Sequence, residues 1–535
     1  MGDPLVWHRF QFAFTIVYHY LFPQLTMGLA LLIVVMKGLS LRPGGERWAP
    51  ISRFWVRIFG LNFGIGVVTG IPMEFQIGTN WARFSQLAGG VIGQTLALEG
   101  LFAFFLESSF LAMLVWGEKK IGPRKHFGAA VALFIGSWLS GFFITTTNAF
   151  MQHPVGYSQA ADGSLQLAEL GAYLFNPWGL AQYAHTMVAS VVTAAFVVTA
   201  VGAFWALQNV HTEGAALNLK IGTVAGVIAA VLVAFPTGDY QAKLVARYQP
   251  ASLAAMEGRF ESGPSASIHL IGQPNVPARR LDNPISVPFA LSFLAFGSFH
   301  ADVQGLGDFP VDQWPTNIEL LYYAFHVMVG LGTLFIALMA VANLLRLKGL
   351  LSRTRPVLWA LMLAAPFPYI ANTAGWMSAE LGRQPWLIYG LLRTANGASP
   401  TVHAGSTAFT LIGFTGLYLV AGFALLIGIA LGNVLRGVPL RADGLFEQGL
   451  FGLDEGGAID GYTLLVGLFV ALTLTAHGAN DLRLKTSGEV NARAARWAPK
   501  LWAAVIAVWA LCTWATAQTS PEIFAALPHR PLAAR

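Results

Sequence analysis

The chain has 535 residues, 55% hydrophobic and only 11% charged, with a mean hydropathy of +0.58. A soluble domain carries about 25% charged residues, so these figures exclude a soluble fold and predict an all-α, polytopic membrane protein. The formal charge of +6 does not imply nucleic acid, because membrane proteins collect Lys and Arg in cytoplasmic loops.

One cysteine, Cys512, excludes disulfides, thiolate zinc sites, Cys-ligated iron–sulfur clusters and covalent C-x-x-C-H haem attachment. Any redox cofactor must therefore be held by His, Met or carboxylate. A spanning helix needs about 20 apolar residues. Such runs fall near 12–36, 55–76, 91–116, 127–148, 180–207, 219–236, 317–345, 356–377, 405–432, 458–478 and 499–517. The N-terminus has no basic flank or small-residue cleavage site before its first run, which predicts an uncleaved first helix.

Basic residues set the orientation. Loops 37–54, 117–126 and 346–355 each carry four Lys or Arg, whereas 77–90 has only Arg83 and 149–179 has none. The N-terminus is expected outside, with the ninth helix ending inside. Residues 238–316 form a long polar connection on the outer side, with Pro250, Pro264, Pro274, Pro277 and Pro284. Connections beyond about 15 residues are usually functional or disordered; the mixture of charges and aromatics here predicts a folded cap. The alternation fails near the C-terminus, where the basic loop 479–499 falls outside by simple counting.

Several polar residues interrupt the apolar runs. His19 lies in the first helix and His185 at the outer end of the fifth, while Glu99 and Glu107 lie in the third. A lone histidine on an apolar helix is ordinarily a hydrogen-bonded packing residue. Two histidines with two mid-membrane carboxylates are harder to dismiss, since each ionised group costs about 2.5–3.5 kcal/mol on insertion scales. Glu99 and Glu107 are eight residues apart, roughly 12 Å along an α-helix, so they suit successive steps of a proton path rather than one metal. Met328, ordinarily packing filler, precedes Gly330 and Gly332, and His with Met is an axial pair for a low-spin haem. The stretch Gly375–Trp386 packs Glu380, Arg383, Trp376 and Trp386 beside an apolar run, where a carboxylate needs a compensating proton, cation or metal. By the orientation above, His19, His185, Met328 and Glu380 all fall in the outer part of the membrane.

These residues sit in longer matching stretches. They are Gly70-Ile71-Pro72-Met73-Glu74-Phe75-Gln76-Ile77-Gly78-Thr79-Asn80-Trp81, Phe104-Phe105-Leu106-Glu107-Ser108, Met151-Gln152-His153-Pro154, His185-Thr186, Met328-Val329-Gly330-Leu331-Gly332 and Gly382-Arg383-Gln384-Pro385-Trp386. In this order they make residues 1 to about 427 resemble subunit I of the cytochrome bd quinol oxidases, of the type with a short quinol loop. The resemblance implies a bacterial or archaeal plasma-membrane enzyme that reduces dioxygen to water with electrons from quinol. It further implies a low-spin haem b, a high-spin haem b and a haem d (or a third haem b), with no copper. His185 and Met328 match the axial ligands of the low-spin haem, and His19 and Glu380 those of the two high-spin haems. Arg9 and Arg383 match residues near haem propionates, Trp376 an indole between haems, and Glu99 and Glu107 proton-delivery carboxylates. Glu257 matches an acidic residue of the outer quinol-binding loop, 238–316. The lysine usual five residues earlier is Ser252 here.

Residues 428–535 resemble an internal part of subunit II, through Ala430–Leu440, Leu464–Leu468, Ala476–Ala479 and Leu484–Glu489. A join of a subunit I helix to a subunit II helix near residue 427 accounts for the failed alternation. A complete subunit II and small accessory chains are implied partners. A haem–copper oxidase would need adjacent histidines, and the chain has no His-His pair. A proton-coupled transporter accounts for Glu99 and Glu107 but gives His19, His185, Met328 and Glu380 no common task.

Overall fold

Ten helices among the described residues are long and apolar enough to cross a membrane. The computed structural model describes residues 3–413, 415, 460–485 and 488–521. It divides into two units, residues 1–407 and 408–535. The ninth expected span, the proposed join near 427 and the Ala430–Leu440 stretch fall mostly or wholly outside the described residues.

In the first unit α1 (Pro4–Ser40), α2 (Trp48–Asn80), α3 (Ala82–Trp116), α4 (Pro123–Gln152) and α5 (Pro177–Gln208) follow one another, then α6 (Thr212–Leu232). The first five extend beyond their apolar runs, whereas α6 stops at Leu232, short of its own; side-chain caps open α1 and α5. The start of α5 illustrates this: the Asn176 side chain accepts from the Trp178 amide at 3.0 Å, and Pro177 takes the first helical position. Both satisfy a helix end whose first N–H groups lack partners.

With no hydrophobic drive between helices in lipid, close packing of small residues holds them together. Gly28 of α1 lies against the Ser190 carbonyl of α5, and Gly222 of α6 against Thr199 of α5. Around these contacts Leu29, Ile33, Met36, Trp55, Phe59 and Val198 form a buried core. Trp55 Nε1 donates to Asn218 Oδ1 at 2.9 Å within it.

Two departures from regular α-helix bear on the site. The segment Glu99–Phe104 inside α3 is a π-helix, so the spacing of Glu99 and Glu107 is not that of a plain α-helix. Past α6, the chain kinks at Phe235, which is extended at φ −145° and ψ 125°. A residue before proline is pushed out of the helical region, and Pro236 follows. Helix resumes as α7 (Asp239–Tyr248), so the polar connection expected from 238 begins instead near residue 249.

The rest of that connection is a folded cap, as expected. It holds α8 (Pro250–Met256), an antiparallel hairpin of β1 (Ile268–Asn275) with β2 (Arg280–Val287), and α9 (Ala290–Phe296). Its core joins Leu253, Met256, Phe260, Leu306, Trp314 and Leu321. The chain then enters α10 (Ile318–Leu347), α11 (Arg355–Leu363) and α12 (Phe367–Gly382).

In the second unit α13 (Gly461–Lys485) packs on α14 (Gly488–Thr519). Tyr462 and Thr516 hydroxyls meet at 3.0 Å, and Cys512 is buried. The basic segment 479–499 is a correction to the expected loop, since helix runs through Lys485 and begins again at Gly488. Its Ala, Arg and Leu residues are good helix formers, and charge alone did not interrupt the helices.

Candidate functional site

A cavity of about 400 Å³ lies between α5, α10, α12 and the cap. His185, Met328, Trp376, Glu257, Gln249 and Leu294 line it. Four sequence-distant candidates therefore share one space: the two axial-ligand candidates, an indole and the quinol-loop carboxyl. His19, Arg9 and Glu380 lie outside it.

Each of the three soft or aromatic ligand candidates rests on a glycine of a neighbouring segment. A Cβ at Gly238 would stand 3.4 Å from His185 Cε1, one at Gly375 2.8 Å from Met328 Sδ, and one at Gly70 3.0 Å from His19 Cε1. Beside Met328, a Cβ at Gly330 or Gly332 would meet no atom within 4 Å. The glycines thus admit each ring or thioether closely on one side, and at Met328 Gly330 and Gly332 add open space along the same helix.

The two histidines are held in the same way. Thr69 Oγ1 donates to the Ile65 and Gly66 carbonyls at 3.0 Å, so towards His19 Nδ1, at 3.1 Å, it accepts. Thr237 Oγ1 donates to the Leu232 carbonyl at 2.8 Å and accepts from His185 Nδ1 at 3.4 Å. In both rings this arrangement suits the tautomer with the proton on Nδ1, which would leave Nε2 its lone pair. An outer partner of this kind fixes tautomer and ring orientation for ligation.

Glu380 has a different setting. Asn148 Nδ2 donates to its Oε1 at 2.7 Å, and Gln182 Nε2 in turn donates to Asn148 Oδ1 at 2.7 Å. Arg383 Nη2 donates to Glu380 Oε2. The Arg383 side chain is only 3% exposed, yet its Nε and Nη1 are buried with no partner. Two unpaired guanidinium donors in a buried position fit an anionic group such as a carboxylate. Arg9 is half-buried and donates to Thr316 Oγ1 at 3.5 Å.

The two membrane carboxylates lie on the α3 face that meets α4. Ser140 Oγ donates to Glu99 Oε1 at 2.7 Å, and a Cβ on Gly136 would stand 3.2 Å from Glu107 Cγ. Ser140 and Gly136 are four residues apart on α4, one helical turn, so both carboxylates face a single stripe of that helix. The π segment begins at Glu99, and such turns occur frequently at functional sites.

On the cap, Glu257 is 2% exposed and its Oε2 has no partner. Burial pushes its carboxyl up to about 8, with the His269 backbone amide pulling the other way. Gly258, at φ +62°, turns the chain directly after it, a conformation open to glycine at little cost. Ser252 is buried and does not line the cavity; its hydroxyl donates to the Gly382 carbonyl at 2.6 Å. Gln249 Nε2 donates to the Gln152 carbonyl at 2.8 Å, and Gln152 Nε2 to the Ala379 carbonyl at 3.1 Å. These bonds tie α8 to α4 and to the end of α12, so the position usually held by lysine is a peg between helices.

Thr69, Thr237, Asn148 and Ser140 escaped the reading of the sequence, and Gln152 stood there only as part of a matching stretch. All five are polar residues within long apolar spans, the signal that could have pointed to them.

The family model for cytochrome bd terminal oxidase subunit I matches residues 7–432, and that for subunit II matches residues 415–533. Cytochrome bd ubiquinol oxidase subunit 1 of Bacillus subtilis (strain 168) is 32% identical over 469 residues, covering 84% of this chain and 99% of that protein. Cytochrome bd-II ubiquinol oxidase subunit 1 of Escherichia coli (strain K12) is 30% identical, covering 78% and 94%. The solved bd oxidase from Geobacillus thermodenitrificans matches with a TM-score of 0.72 at 31% identity, covering 78% of this chain and 95% of that chain. The chain belongs to the cytochrome bd terminal oxidase subunit I family and continues into a segment of the subunit II family.

Proposed function

We propose a division of labour among these residues for a terminal quinol oxidase. The chain is a quinol:oxygen oxidoreductase of the respiratory chain, multi-pass in the plasma membrane, with haem cofactors and quinol as its substrate. His185 and Met328 would hold a low-spin haem b, and His19 and Glu380 two high-spin haems, a b and either a d or a further b. Such haems would supply electron transfer from quinol and the reduction of dioxygen to water. The observation that carries this reading is the single cavity that brings His185, Met328, Trp376 and Glu257 together.

Imidazole with thioether would suit a haem that transfers electrons, and a lone imidazole or carboxylate one that binds oxygen. Trp376 fills the space beside the low-spin ligands. Arg383 directs its two free donors at a propionate, and Arg9 serves a second one. Glu257 accepts a proton from the quinol hydroxyl, and Glu99, oriented by Ser140, passes protons received from Glu107 toward the site of oxygen reduction.

The haem-binding domain spans 1–427, the quinol loop lies within 238–316, and 428–535 is a partial subunit II segment. A complete subunit II and small accessory chains assemble with it, and the basic loops support an outside N-terminus. A proton-coupled transporter accounts for Glu99 and Glu107 alone and leaves the shared cavity without a task. Met328→Leu should remove the low-spin haem band from the reduced-minus-oxidised spectrum while the oxygen-binding haems remain. A normal low-spin spectrum in that variant would refute the assignment.

A further inference from the structure

The hairpin of the cap has one closed side and one open side. On the closed side Leu281 lies against Gly258 and Gly272, directly over the Glu257 turn. The hairpin exposes Leu270, Ile271 and Ile285, at 55, 58 and 56%, with Ile271 paired to Ile285 across the strands and Leu270 in the bulge beside that pair. Next in the chain, α9 exposes Phe293, Leu294 and Phe296, and Phe293 stacks on Phe299 at 4.6 Å. Exposed apolar side chains in this number mark an interaction surface rather than a solvated one.

Its depth is fixed by one hydrogen bond. His326 Nε2 donates to the His269 carbonyl of β1 at 2.6 Å. His326 is eight residues into α10, whose first residue is Ile318, so β1 meets the helix about 12 Å along its axis. A helix of 30 residues is about 45 Å long, the thickness of a bilayer with its headgroups, of which the hydrocarbon core takes about 30 Å. With the ends of α10 at the two faces of such a bilayer, the headgroup layer is about 7 Å deep on each side, and Leu270 and Ile271, which follow His269 directly, would sit where acyl chains begin. The turn of the hairpin carries Arg279, which lies over the Trp314 ring, and the exposed Arg280, which pairs with Asp282; basic residues at this level suit headgroups. Leu294 is both exposed and part of the cavity wall, next to Ala295.

We propose that the hairpin and α9 form a foot seated in the lipid leaflet on the loop side of the membrane. The gap at Leu294 is then a lateral doorway through which lipid-borne quinol brings its ring to Glu257 while its isoprenoid tail stays among acyl chains. The occupant of the apolar face is lipid, because the face lies at the level of the acyl chains and joins the cavity that receives a lipid-soluble substrate. The doorway rests on the assignment of Glu257 to quinol; the seating in lipid does not.

The test uses the holoenzyme in liposomes, with Cys512→Ser and a fluorophore on Ile271→Cys. Quenching by lipids brominated near the top of the acyl chain, and protection from aqueous iodide, is expected. Quenching by iodide, or by neither agent because another chain covers the face, overturns the proposal. Second, the combined variant Leu270→Ser, Ile271→Ser, Ile285→Ser should raise KM about tenfold for a long-tailed quinol in the bilayer. Oxidation of a short-tailed, water-soluble quinol and the haem spectrum should stay unchanged. Equal loss with both quinols overturns the doorway. Failure of the Glu257 assignment looks different: Glu257→Gln would then oxidise both quinols at the wild-type rate.

Discussion

Glu257→Gln keeps the shape of the side chain and removes its titration. With its carboxyl pushed up to about 8 by burial, Glu257 is about 1% ionised at pH 6 and about 50% at pH 8, and only the ionised form accepts a proton. The parameter kcat/KM for quinol reports groups of the free enzyme. It should therefore rise about 50-fold between pH 6 and 8 and level off above. In the Gln variant it should fall by about 100-fold at pH 8 and lose that slope. The same shift has a sign for stability. From an ordinary 4.5 to about 8, the folded state holds a proton that the unfolded chain releases, so stability declines as pH rises through that window. At 1.36 kcal/mol per unit the penalty reaches at most about 5 kcal/mol above pH 8, and the Gln variant escapes it. Oxygen uptake and thermal melts of the reconstituted holoenzyme between pH 5 and 9 measure both. A flat wild-type profile between pH 6 and 8, matched by the variant, would refute the reasoning.

Glu380→Ala should lose a high-spin haem and also about 3–5 kcal/mol of stability, because it strands the buried Arg383. Glu380→Gln keeps an acceptor for Asn148 and should separate the two losses when haem content per chain is compared with melting. Ser140→Ala removes the donor to Glu99 and should slow oxygen uptake about tenfold or more at saturating quinol, with an unchanged haem spectrum. Ser252→Lys, although it restores the side chain usual in the family, should destabilise the protein by about 1–3 kcal/mol through overpacking. It should not lower KM for quinol, because position 252 faces the Gly382 carbonyl and not the cavity.

The helices of the first unit were legible because hydrophobicity over 20 residues is a strong signal in a chain that must satisfy its backbone inside lipid. The kink at Phe235 and the π turn at Glu99 were not. Both alter geometry without altering composition, although Pro236 marked a place where the helix could break. Chemistry-bearing residues stood out one by one as polar intrusions in apolar helices. Their grouping did not follow from a common depth: His185 and Met328 share a cavity, whereas His19 and Glu380 lie outside it. The hairpin was hidden by the proline-rich composition of the loop, and its apolar open face reads in sequence like an ordinary buried strand. Thr69 and Thr237 were missed because a threonine that orients a histidine is indistinguishable in sequence from one bonding its own helix.

The π turn at Glu99–Phe104 constrains how this chain can change over time. Residues after such a turn are advanced by one position relative to an uninterrupted helix, and one position is about 100° of rotation. Deleting a single residue within the turn would restore the regular ladder and leave Glu107 on the Gly136 stripe of α4, whereas a deletion without loss of the wide turn would swing it to another face. Length variation in this span therefore has one open direction: loss of the residue that the wide turn absorbs changes the setting of Glu99 but not the facing of Glu107, and substitutions at exposed Leu101 or Phe102 leave the register intact. The segment tolerates new side chains and the loss of its one extra residue, but no other change of count.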